Sequence, residues 1–177
     1  GAGADAAALE TILYEGYGPG GVALLIEAVT DNRNRTGADV RHALSKANGS
    51  LGEPGSVAYN FDKKGVIVVD GERYGEDDLM VAIDAGAEDI AREDDSWEIV
   101  TEPSDLTAVR KALEDAEVEI VNAEVTQRPK VLVPVDEDTA GKLLRLIDNL
   151  EDNDDVDAVH ANFDVDADVL ERLMAAS

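Results

Sequence analysis

The residues of this chain best suited to chemistry form a short run of planar donors and hydroxyls. The run contains two arginines, two asparagines and a threonine: Arg33, Arg35, Asn32, Asn34 and Thr36. A guanidinium group binds phosphate through paired hydrogen bonds, and amides and hydroxyls contact phosphate and sugar oxygens. The run is therefore suited to contact with a nucleic-acid backbone, although its spacing favours a structural role equally. Its structural alternative is a helix entry capped by Thr36, with both arginines paired to carboxylates.

Further basic residues extend this candidate site along the chain. Arg41 and Lys46 fall on the polar face of a predicted helix, and Lys63 and Lys64 follow in a predicted turn. From position 31 to position 64, six basic residues face four acidic ones, so this cationic segment carries +2. The whole chain has 15 basic and 40 acidic residues and a net charge of −25, so the other 143 residues carry −27. Cationic side chains drive phosphate binding, whereas the acidic remainder is expected to be a solvated surface.

A glycine-rich loop precedes the cationic segment and formally satisfies a dinucleotide-binding pattern. Gly16, Gly18 and Gly21 have the G-x-G-x-x-G spacing. However, Pro19 and a predicted strand stand where that fold needs a helix to hold pyrophosphate, so no dinucleotide site is expected. Tyr17 and Gly18 are candidate nucleic-acid contacts, through base stacking and exposed backbone amides. The structural alternative is a turn that needs positive φ, with the tyrosine ring packed on its own strand.

No combination of residues indicates an enzyme. The chain has no cysteine. His42 and His160 are too far apart in sequence for a helical metal motif or an evident pair of base and nucleophile. The acidic run Asp152–Asp157 lacks the glycine and the glutamate of a calcium-binding loop. We therefore expect no catalysis, no cofactor, no metal and no small-molecule substrate.

Neither a membrane segment nor a secretory leader is predicted. The longest apolar runs are as short as single strands, far below the roughly 20 residues that span a bilayer. Gly1–Leu9 lacks the basic start and the apolar stretch of a secretory signal. Since the chain also has no cysteine for disulfides, we expect a cytoplasmic protein without a membrane partner.

The candidate residues must be positioned by an alternation of short strands and helices. Apolar residues recur with helical spacing over Gly37–Asn48, and Asn48-Gly49 is a typical helix end. The turn-forming run Asp62–Gly65 lies between two apolar runs and predicts a β-hairpin with its lysines at the tip. The other predicted elements are strands Thr11–Tyr14, Val22–Thr30, Val57–Phe61, Lys130–Val135 and Ala158–Val165, helix Asp136–Glu151 and a short C-terminal helix.

A second pattern interrupts this alternation. Strand Val66–Asp70 is followed by a helix, two strands, a helix and a strand, near Asp77–Ala85, Asp89–Arg92, Trp97–Thr101, Ser104–Asp115 and Glu119–Val125. The order βαββαβ is that of the ferredoxin-like plait, and Ser104 is a candidate cap for the second helix. The sequence thus predicts an α+β protein of two domains with antiparallel sheets. A ferredoxin-like domain of residues 65–128 is inserted into a discontinuous domain of residues 9–64 and 129–177.

Four blocks of sequence resemble the signature blocks of the YebC family, in the same order. They are Glu15–Gly21, Thr30–Thr36, Val40–Lys46 and Asn153–Asp164. The resemblance covers essentially the whole chain and implies a ferredoxin-like domain inserted into a second α+β domain. It also implies a basic three-helix domain before them, and residues 1–8 resemble only the tail that leads out of that helical domain.

The resemblance implies a non-enzymatic regulator of gene expression. Members of the family are described as DNA-binding transcriptional regulators and as translation factors, some proposed to relieve ribosomes stalled on proline-rich sequences. One small cationic segment on an acidic chain suits docking onto an RNA pocket better than tracking along duplex DNA. We therefore expect binding to ribosomal RNA or the ribosome through the candidate residues above. Promoter DNA is the alternative target, although no helix-turn-helix, zinc finger or leucine zipper is evident.

Overall fold

A computed structural model describes residues 8–176 of the chain. Its strands are β1 (Glu10–Tyr17), β2 (Ala23–Thr30), β3 (Ser50–Leu51), β4 (Phe61–Asp70), β5 (Asp89–Glu93), β6 (Ser96–Thr101), β7 (Asn122–Pro129), β8 (Val133–Pro134), β9 (Val156–Ala161) and β10 (Phe163–Asp164). Its helices are α1 (Arg33–Lys46), α2 (Met80–Asp84), α3 (Leu106–Asp115), α4 (Glu137–Glu151) and α5 (Ala167–Ala175). The tail predicted at residues 1–8 lies outside the described residues except for Ala8.

These elements separate into two units, each with its own buried core. The inserted unit comprises residues 62–128, and the discontinuous unit comprises the described residues up to Phe61 and from Pro129 onward. Each unit contains one four-stranded sheet, and both sheets are antiparallel. The predicted α+β class with antiparallel sheets is therefore confirmed.

The sheet of the discontinuous unit has the strand order β3-β1-β2-β9, and α1 and α4 pack on one of its faces. Successive side chains of a strand point to opposite faces, so Leu24 and Ile26 of β2 share the face toward the helices. They form a buried cluster with Leu44 of α1 and with Leu146 and Leu150 of α4. A short parallel pair, β8 and β10, completes this unit.

The sheet of the inserted unit has the strand order β7-β4-β6-β5. This is the order that a βαββαβ plait produces when its two helices cross one face of the sheet. Ile67 and Val69 of β4 and Ile99 of β6 are buried with Val109 and Leu113 of α3. The predicted order of elements is confirmed in this unit.

The hairpin predicted at Asp62–Gly65 is wrong, because the chain continues there as a single strand. β4 passes through these residues without a turn and pairs antiparallel with β6, with Gly65 opposite Thr101. A Cβ at position 65 would lie 2.4 Å from the Thr101 hydroxyl oxygen. Glycine therefore serves close packing rather than a turn here, since cross-strand packing outweighs a local turn preference.

Two boundaries in the inserted unit also differ from the prediction. Ser104 does not cap α3, because Pro103–Asp105 forms a 3₁₀ turn and α3 begins at Leu106 without a side-chain cap. The strand predicted from Glu119 begins at Asn122. The strand starts later because α3 is followed by a left-handed turn, in which Glu117 has a φ of 64°.

Two strands predicted in the discontinuous unit are shorter than expected. Of the predicted strand Lys130–Val135, only Val133–Pro134 forms a strand, β8. The predicted strand Ala158–Val165 breaks at Asn162 into β9 and β10. Asn162 is buried, and its side-chain oxygen accepts a hydrogen bond from the Ala23 N–H at 2.8 Å, where a continuous strand would use its backbone.

Independent folding of the discontinuous unit is a testable prediction. We expect that a chain in which residues 65–128 are replaced by a short glycine linker still unfolds cooperatively, because the buried cluster of α1, α4 and β2 lies outside the excised segment. Urea unfolding followed by far-UV circular dichroism measures this. In the intact chain, the fluorescence of Trp97, the only tryptophan, follows the inserted unit. A remainder without a cooperative transition would contradict the prediction.

Candidate nucleic-acid interface

The candidate run at positions 32–36 forms the entry and first turn of α1 rather than a loop before the helix. α1 begins at Arg33 instead of Gly37, because the Asn32 side chain accepts a hydrogen bond from the Arg35 N–H at 3.0 Å. Asparagine is a strong helix cap. Thr36 is therefore inside the helix and buried, and its predicted role as the cap is wrong.

Arg35 and Thr36 belong to a polar network that ties α1 to the turn before β9. Asp155 accepts hydrogen bonds from the Arg35 guanidinium at 2.9 Å and from the Thr36 hydroxyl at 2.7 Å. Arg35 also pairs with Asp31 at 3.0 Å, and the Thr36 hydroxyl lies 2.8 Å from the hydroxyl of Thr30. The hydrogen bonds from Arg35 and Thr36 hold the pKa of the Asp155 carboxyl below its ordinary value. This network fixes the position of α1 within the unit.

Arg33 and Asn34 leave more of their donors open to solvent. The Arg33 side chain is 62% exposed and pairs with Glu10 at 3.2 Å. Exposed ion pairs of this kind typically contribute at most about 1 kcal/mol, so a phosphate can replace the carboxylate as partner. Asn34 is exposed on the same helical turn. This turn therefore offers one arginine and one amide to an incoming anion.

Arg41 and Lys46 lie on the exposed face of α1, opposite the buried Val40 and Leu44. Neither basic side chain forms an ion pair or hydrogen bond with another residue in the range 8–176. Their charges are therefore directed at solvent and are available to an external anion.

A turn that the sequence specifies fixes the end of α1. Asn48 adopts a φ of 61°, and the N–H groups of Asn48 and Gly49 donate to the carbonyls of Ser45 and Leu44 at 3.0 and 2.7 Å. This Schellman arrangement satisfies the last carbonyls of the helix. A Cβ at position 49 would lie 2.1 Å from the carbonyl oxygen of Tyr17. Glycine alone therefore lets the helix end approach β1 this closely.

The glycine-rich loop packs against the protein rather than opening toward a ligand. Gly18 is buried, and a Cβ there would crowd the side chains of Leu24, Leu143 and Leu146, at 3.1 to 3.2 Å. Its N–H donates to the carbonyl of Val22 at 2.9 Å. Gly20 and Gly21 have φ values of 75° and 73°, the conformation of the predicted turn. The Gly18 amide is thus used inside the loop.

Tyr17 is the accessible aromatic residue of this loop. Its side chain is partly exposed, and its hydroxyl lies 3.4 Å from the carbonyl oxygen of Ser56, a long contact that can hold it only weakly. One edge of the ring lies over Gly52, where a Cβ would be 3.2 Å away. The ring is therefore supported by the chain on one side and open to solvent on the other.

Lys63 and Lys64 belong to the inserted unit and lie in β4. Lys63 is exposed. The Lys64 ammonium bridges Glu102 at 2.7 Å and Glu88 at 2.9 Å, with only 19% of its side chain exposed. Hydrogen bonds to Glu102 and Glu88 hold the pKa of Lys64 above its ordinary value. The charge of Lys64 is therefore used within the unit, and Lys63 is the more accessible lysine.

Three polar residues of α4 that the sequence patterns did not indicate lie beside α1. Lys142, Arg145 and Asn149 are exposed and recur at i, i+3 and i+7, so they share one face of the helix. Together with Lys46 and Asn48 they line an open cleft of about 380 Å³ between α1 and α4, called the cationic cleft below. The spacing on α4 is visible in the sequence, but only the packing of the two helices brings their polar faces together.

A second cleft lies beside the first, between α1 and the end of α4, and has the opposite charge. It has a volume of about 280 Å³, and its lining includes Asp39, His42 and Asp152. Ala43 and Asn149 line both clefts. The groove between the helices is therefore basic toward one end and acidic toward the other.

The two histidines of the chain lie on different elements of the discontinuous unit. Between residues 8 and 176 no group of three or more histidine or acidic side chains could hold a metal ion. His160 of β9 contacts Glu27 of β2 at 2.7 Å, whereas His42 lies on α1. In the same range, no helix has the length and apolar character needed to cross a bilayer.

Comparisons with known proteins identify relatives of this chain. Residues 9–163 match the sequence model of a family described as "TACO1/YebC second and third domain". A "probable transcriptional regulatory protein" of Maridesulfovibrio salexigens is 54% identical over 168 residues, which are 94% of this chain and 66% of that protein. A protein of the same description from Desulfotalea psychrophila is 51% identical over 166 residues, which are 93% of this chain and 66% of that protein.

A solved structure is also similar. The crystal structure of a conserved hypothetical protein from Aquifex aeolicus matches 92% of this chain and 68% of its own chain, with a TM-score of 0.77 and 42% sequence identity. This chain spans about two thirds of the length of the curated relatives it matches. Because the family model covers most of the chain and these relatives share about half of its residues, the chain belongs to the TACO1/YebC family of regulatory proteins.

Proposed function

We propose that this chain is a non-enzymatic, RNA-binding translation factor that acts on the ribosome in the cytoplasm. The proposal includes the relief of ribosomes stalled on proline-rich sequences. The observation that carries it is the exposed basic face of α1 on a chain whose net charge is −25.

The charge distribution supports a single orientation toward a phosphate-rich partner. Arg33, Arg41 and Lys46 expose their cationic groups on α1, while most of the remaining sequence is strongly acidic. An acidic surface is repelled by phosphate, and a basic one attracts it and releases counterions. The acidic surface therefore disfavours other orientations and leaves the basic face to make contact.

The small extent of this face favours RNA over duplex DNA. A protein that makes about 6 to 10 phosphate contacts on a duplex needs more cationic groups than the exposed basic residues of α1 provide. Folded RNA offers defined pockets and unstacked bases, and Tyr17 provides an exposed ring for stacking. Duplex DNA is the second candidate target, because the similar proteins are named transcriptional regulatory proteins.

A non-enzymatic role agrees with the chemistry of the exposed residues. Arginine, lysine and asparagine side chains bind anions through hydrogen bonds but do not take up a proton near neutral pH. General acid–base catalysis would need a positioned base within hydrogen-bond reach of its proton. The exposed arginine, lysine and asparagine side chains of α1 and α4 therefore support binding rather than turnover.

The triple variant Arg33→Gln, Arg41→Gln and Lys46→Gln tests this function. We expect weaker co-sedimentation with ribosomes and weaker binding to ribosomal RNA, since three phosphate contacts are removed. The plot of log affinity against log salt should flatten by about 2 units, at about 0.7 per contact. Arg35 is left in place because it holds Asp155 and its loss would disturb the fold. Binding and a salt slope equal to those of the wild type would contradict the proposal.

A matched control separates binding from stability. Val40→Ala removes a buried side chain from the same helix and should lower the free energy of unfolding by about 1 to 3 kcal/mol, while the salt slope stays unchanged. A gel-shift on duplex DNA at the same salt concentration distinguishes the second candidate target. Ribosomes stalled on a proline-rich reporter should retain more of the chain than vacant ribosomes, and equal retention would contradict the stall-relief part of the proposal.

A further inference from the structure

We propose that the cationic cleft between α1 and α4 is a phosphate-binding site that takes the backbone of single-stranded RNA. The inference rests on the proposed function and extends it to α4. Its binding groups are Lys46 and Asn48 at the end of α1 and Lys142, Arg145 and Asn149 on α4. The apolar floor between them is made by Ala43, Ala47 and Leu146.

The composition of the cleft differs sharply from that of the chain. Three of the eight residues that line it are basic and none is acidic, although acidic residues outnumber basic ones by 40 to 15 in the sequence. In a low-dielectric concavity, like charges raise the local potential and concentrate anions. The cleft is therefore a local concentration of positive charge on a protein of negative net charge.

The basic side chains of the cleft are only weakly engaged with the protein itself. Lys142 pairs with Asp138 at 3.2 Å, one helical turn away, with both side chains more than half exposed. Such an exposed pair contributes little and is screened by salt. Arg145 and Lys46 have no ion pair with another residue between positions 8 and 176. A phosphate that enters the cleft therefore displaces little existing interaction.

Both walls of the cleft are rigidly supported. On α1, the left-handed Asn48 and the contact of Gly49 with β1 fix the helix end. On α4, Leu143 and Leu146 are buried beneath the exposed face and pack around the glycine-rich loop at Gly18. A site on packed helices loses little conformational entropy when it binds a ligand. The helix backbones that carry the charged groups are thus fixed in place.

The chemistry of these groups matches a phosphodiester. The Arg145 guanidinium can hold two oxygens of one phosphate, and Lys46 and Lys142 act as point charges on its neighbours. The amides of Asn48 and Asn149 can bond phosphate oxygens or ribose hydroxyls. The volume of about 380 Å³ is that of a small-ligand site, which favours a single strand over a duplex.

Binding at this site should not depend on base identity. The lining contains no aromatic side chain, so it has no ring that would select a base by stacking. The acidic cleft next to it, with Asp39 and Asp152, repels phosphate and limits the strand to the basic end of the groove. The cleft therefore anchors the backbone and leaves any base contact to other residues such as Tyr17.

The double variant Lys142→Gln and Arg145→Gln tests the cleft, with a fluorescent oligouridylate and inorganic pyrophosphate as probes. We expect the affinity for oligouridylate to fall at least about tenfold. The salt slope should flatten by about 1.4, for two single-strand phosphate contacts. Wild-type amide resonances of the Asn48 and Asn149 side chains should shift saturably on addition of pyrophosphate.

Two matched variants control for charge and folding. Arg110→Gln with Lys111→Gln removes the same pair of residue types from α3, where they pair with Glu114 and Asp115, and should leave affinity and salt slope unchanged. Lys142→Arg with Arg145→Lys keeps the charges and should preserve the salt slope. Circular dichroism of each variant verifies the fold, since all of these positions are exposed.

The outcomes of these experiments distinguish failure of the proposed phosphate site from failure of the proposed RNA-binding function. The variant Lys142→Gln with Arg145→Gln and the triple variant of α1 can give different results. If the first binds oligouridylate like the wild type and the second does not, the cationic cleft is not the phosphate site, and the proposed RNA-binding function is retained. A second outcome is that the wild type binds neither ribosomes nor oligouridylate while pyrophosphate still shifts the asparagine resonances. In that case the proposed RNA-binding function is refuted, and the cationic cleft is retained as a phosphate-binding site. If the asparagine resonances do not change on addition of pyrophosphate, the cationic cleft is not a phosphate-binding site, whatever the other results.

Discussion

Replacing Glu15 with glutamine is expected to lower the free energy of unfolding by about 3 kcal/mol at neutral pH. The Glu15 side chain is buried, and its carboxylate accepts hydrogen bonds from the N–H groups of Gly55 at 2.6 Å, Ala58 at 2.7 Å and Val57 at 2.9 Å. Glutamine keeps the shape but loses the charge, and it turns an NH₂ group toward a backbone donor. The loop before β4 would then lose its anchor on β1.

The effect of this substitution should depend on pH in a defined direction. Burial raises the pKa of Glu15, but hydrogen bonds from Gly55, Ala58 and Val57 outweigh it, so the folded-state pKa lies below the ordinary value. The stabilisation is therefore fully present above the unfolded pKa of about 4.3. It is lost as the pH falls through the folded-state pKa. The difference between wild type and variant should shrink toward zero over that acidic range.

Urea unfolding at several pH values, followed by circular dichroism, measures both effects. Glu53→Gln is the matched control, because Glu53 is an exposed carboxylate in the same loop and should change stability by less than about 0.5 kcal/mol. If the Glu15→Gln variant is as stable as this control at neutral pH, the three hydrogen bonds to the carboxylate make no net contribution to the free energy of unfolding.

Replacing Gly49 with alanine should destabilise the discontinuous unit by about 3 kcal/mol or more. The added Cβ would lie 2.1 Å from the carbonyl oxygen of Tyr17 and 3.2 Å from that of Leu44. Both are backbone atoms that cannot rotate away, so β1 and the end of α1 must separate. Overpacking of a closed core typically costs about 1 to 3 kcal/mol, and here the Schellman hydrogen bonds are strained as well.

The Gly49 variant also connects stability to binding. Since Asn48 and Lys46 lie just before this glycine, a displaced helix end should widen the cationic cleft and weaken oligouridylate binding under conditions where the variant is still folded. Gly75→Ala is the control, because a Cβ there meets nothing closer than 3.9 Å and its φ is −96°. Thermal unfolding that differs little between the Gly49 variant and this control would contradict the predicted clash.

The division between structural and available arginines refines the predicted site. Arg35 donates to Asp155 and Asp31, whereas Arg33 makes a weaker exposed pair and Arg41 points to solvent. Arg35 is thus expected to act on binding mainly by holding α1 in place. Arg35→Gln should therefore affect stability more than the salt slope, the reverse of Arg41→Gln.

The sequence by itself determined the features that depend on near neighbours. Helical spacing of Val40, Ala43 and Leu44 predicted α1, because a period of 3.6 residues puts these side chains on one face. Alternating apolar runs with turn residues between them predicted the βαββαβ unit, and a strand after the glycine-rich loop excluded a dinucleotide fold. Local spacing is sufficient here, since each pattern involves residues within a few turns of one another.

Only the tertiary structure decided how the charged residues are used. The partner of Arg35 is Asp155, 120 residues away, and the partners of Lys64 are Glu88 and Glu102. The cationic cleft likewise joins residues near the end of α1 to residues of α4 that follow almost a hundred positions later. The turn-forming residue types at Asp62–Gly65 also gave a wrong prediction, because this segment is part of β4, which pairs with β6 instead of turning. An ion pair or a cleft depends on distances in space, and the folded core sets those distances by bringing distant segments together.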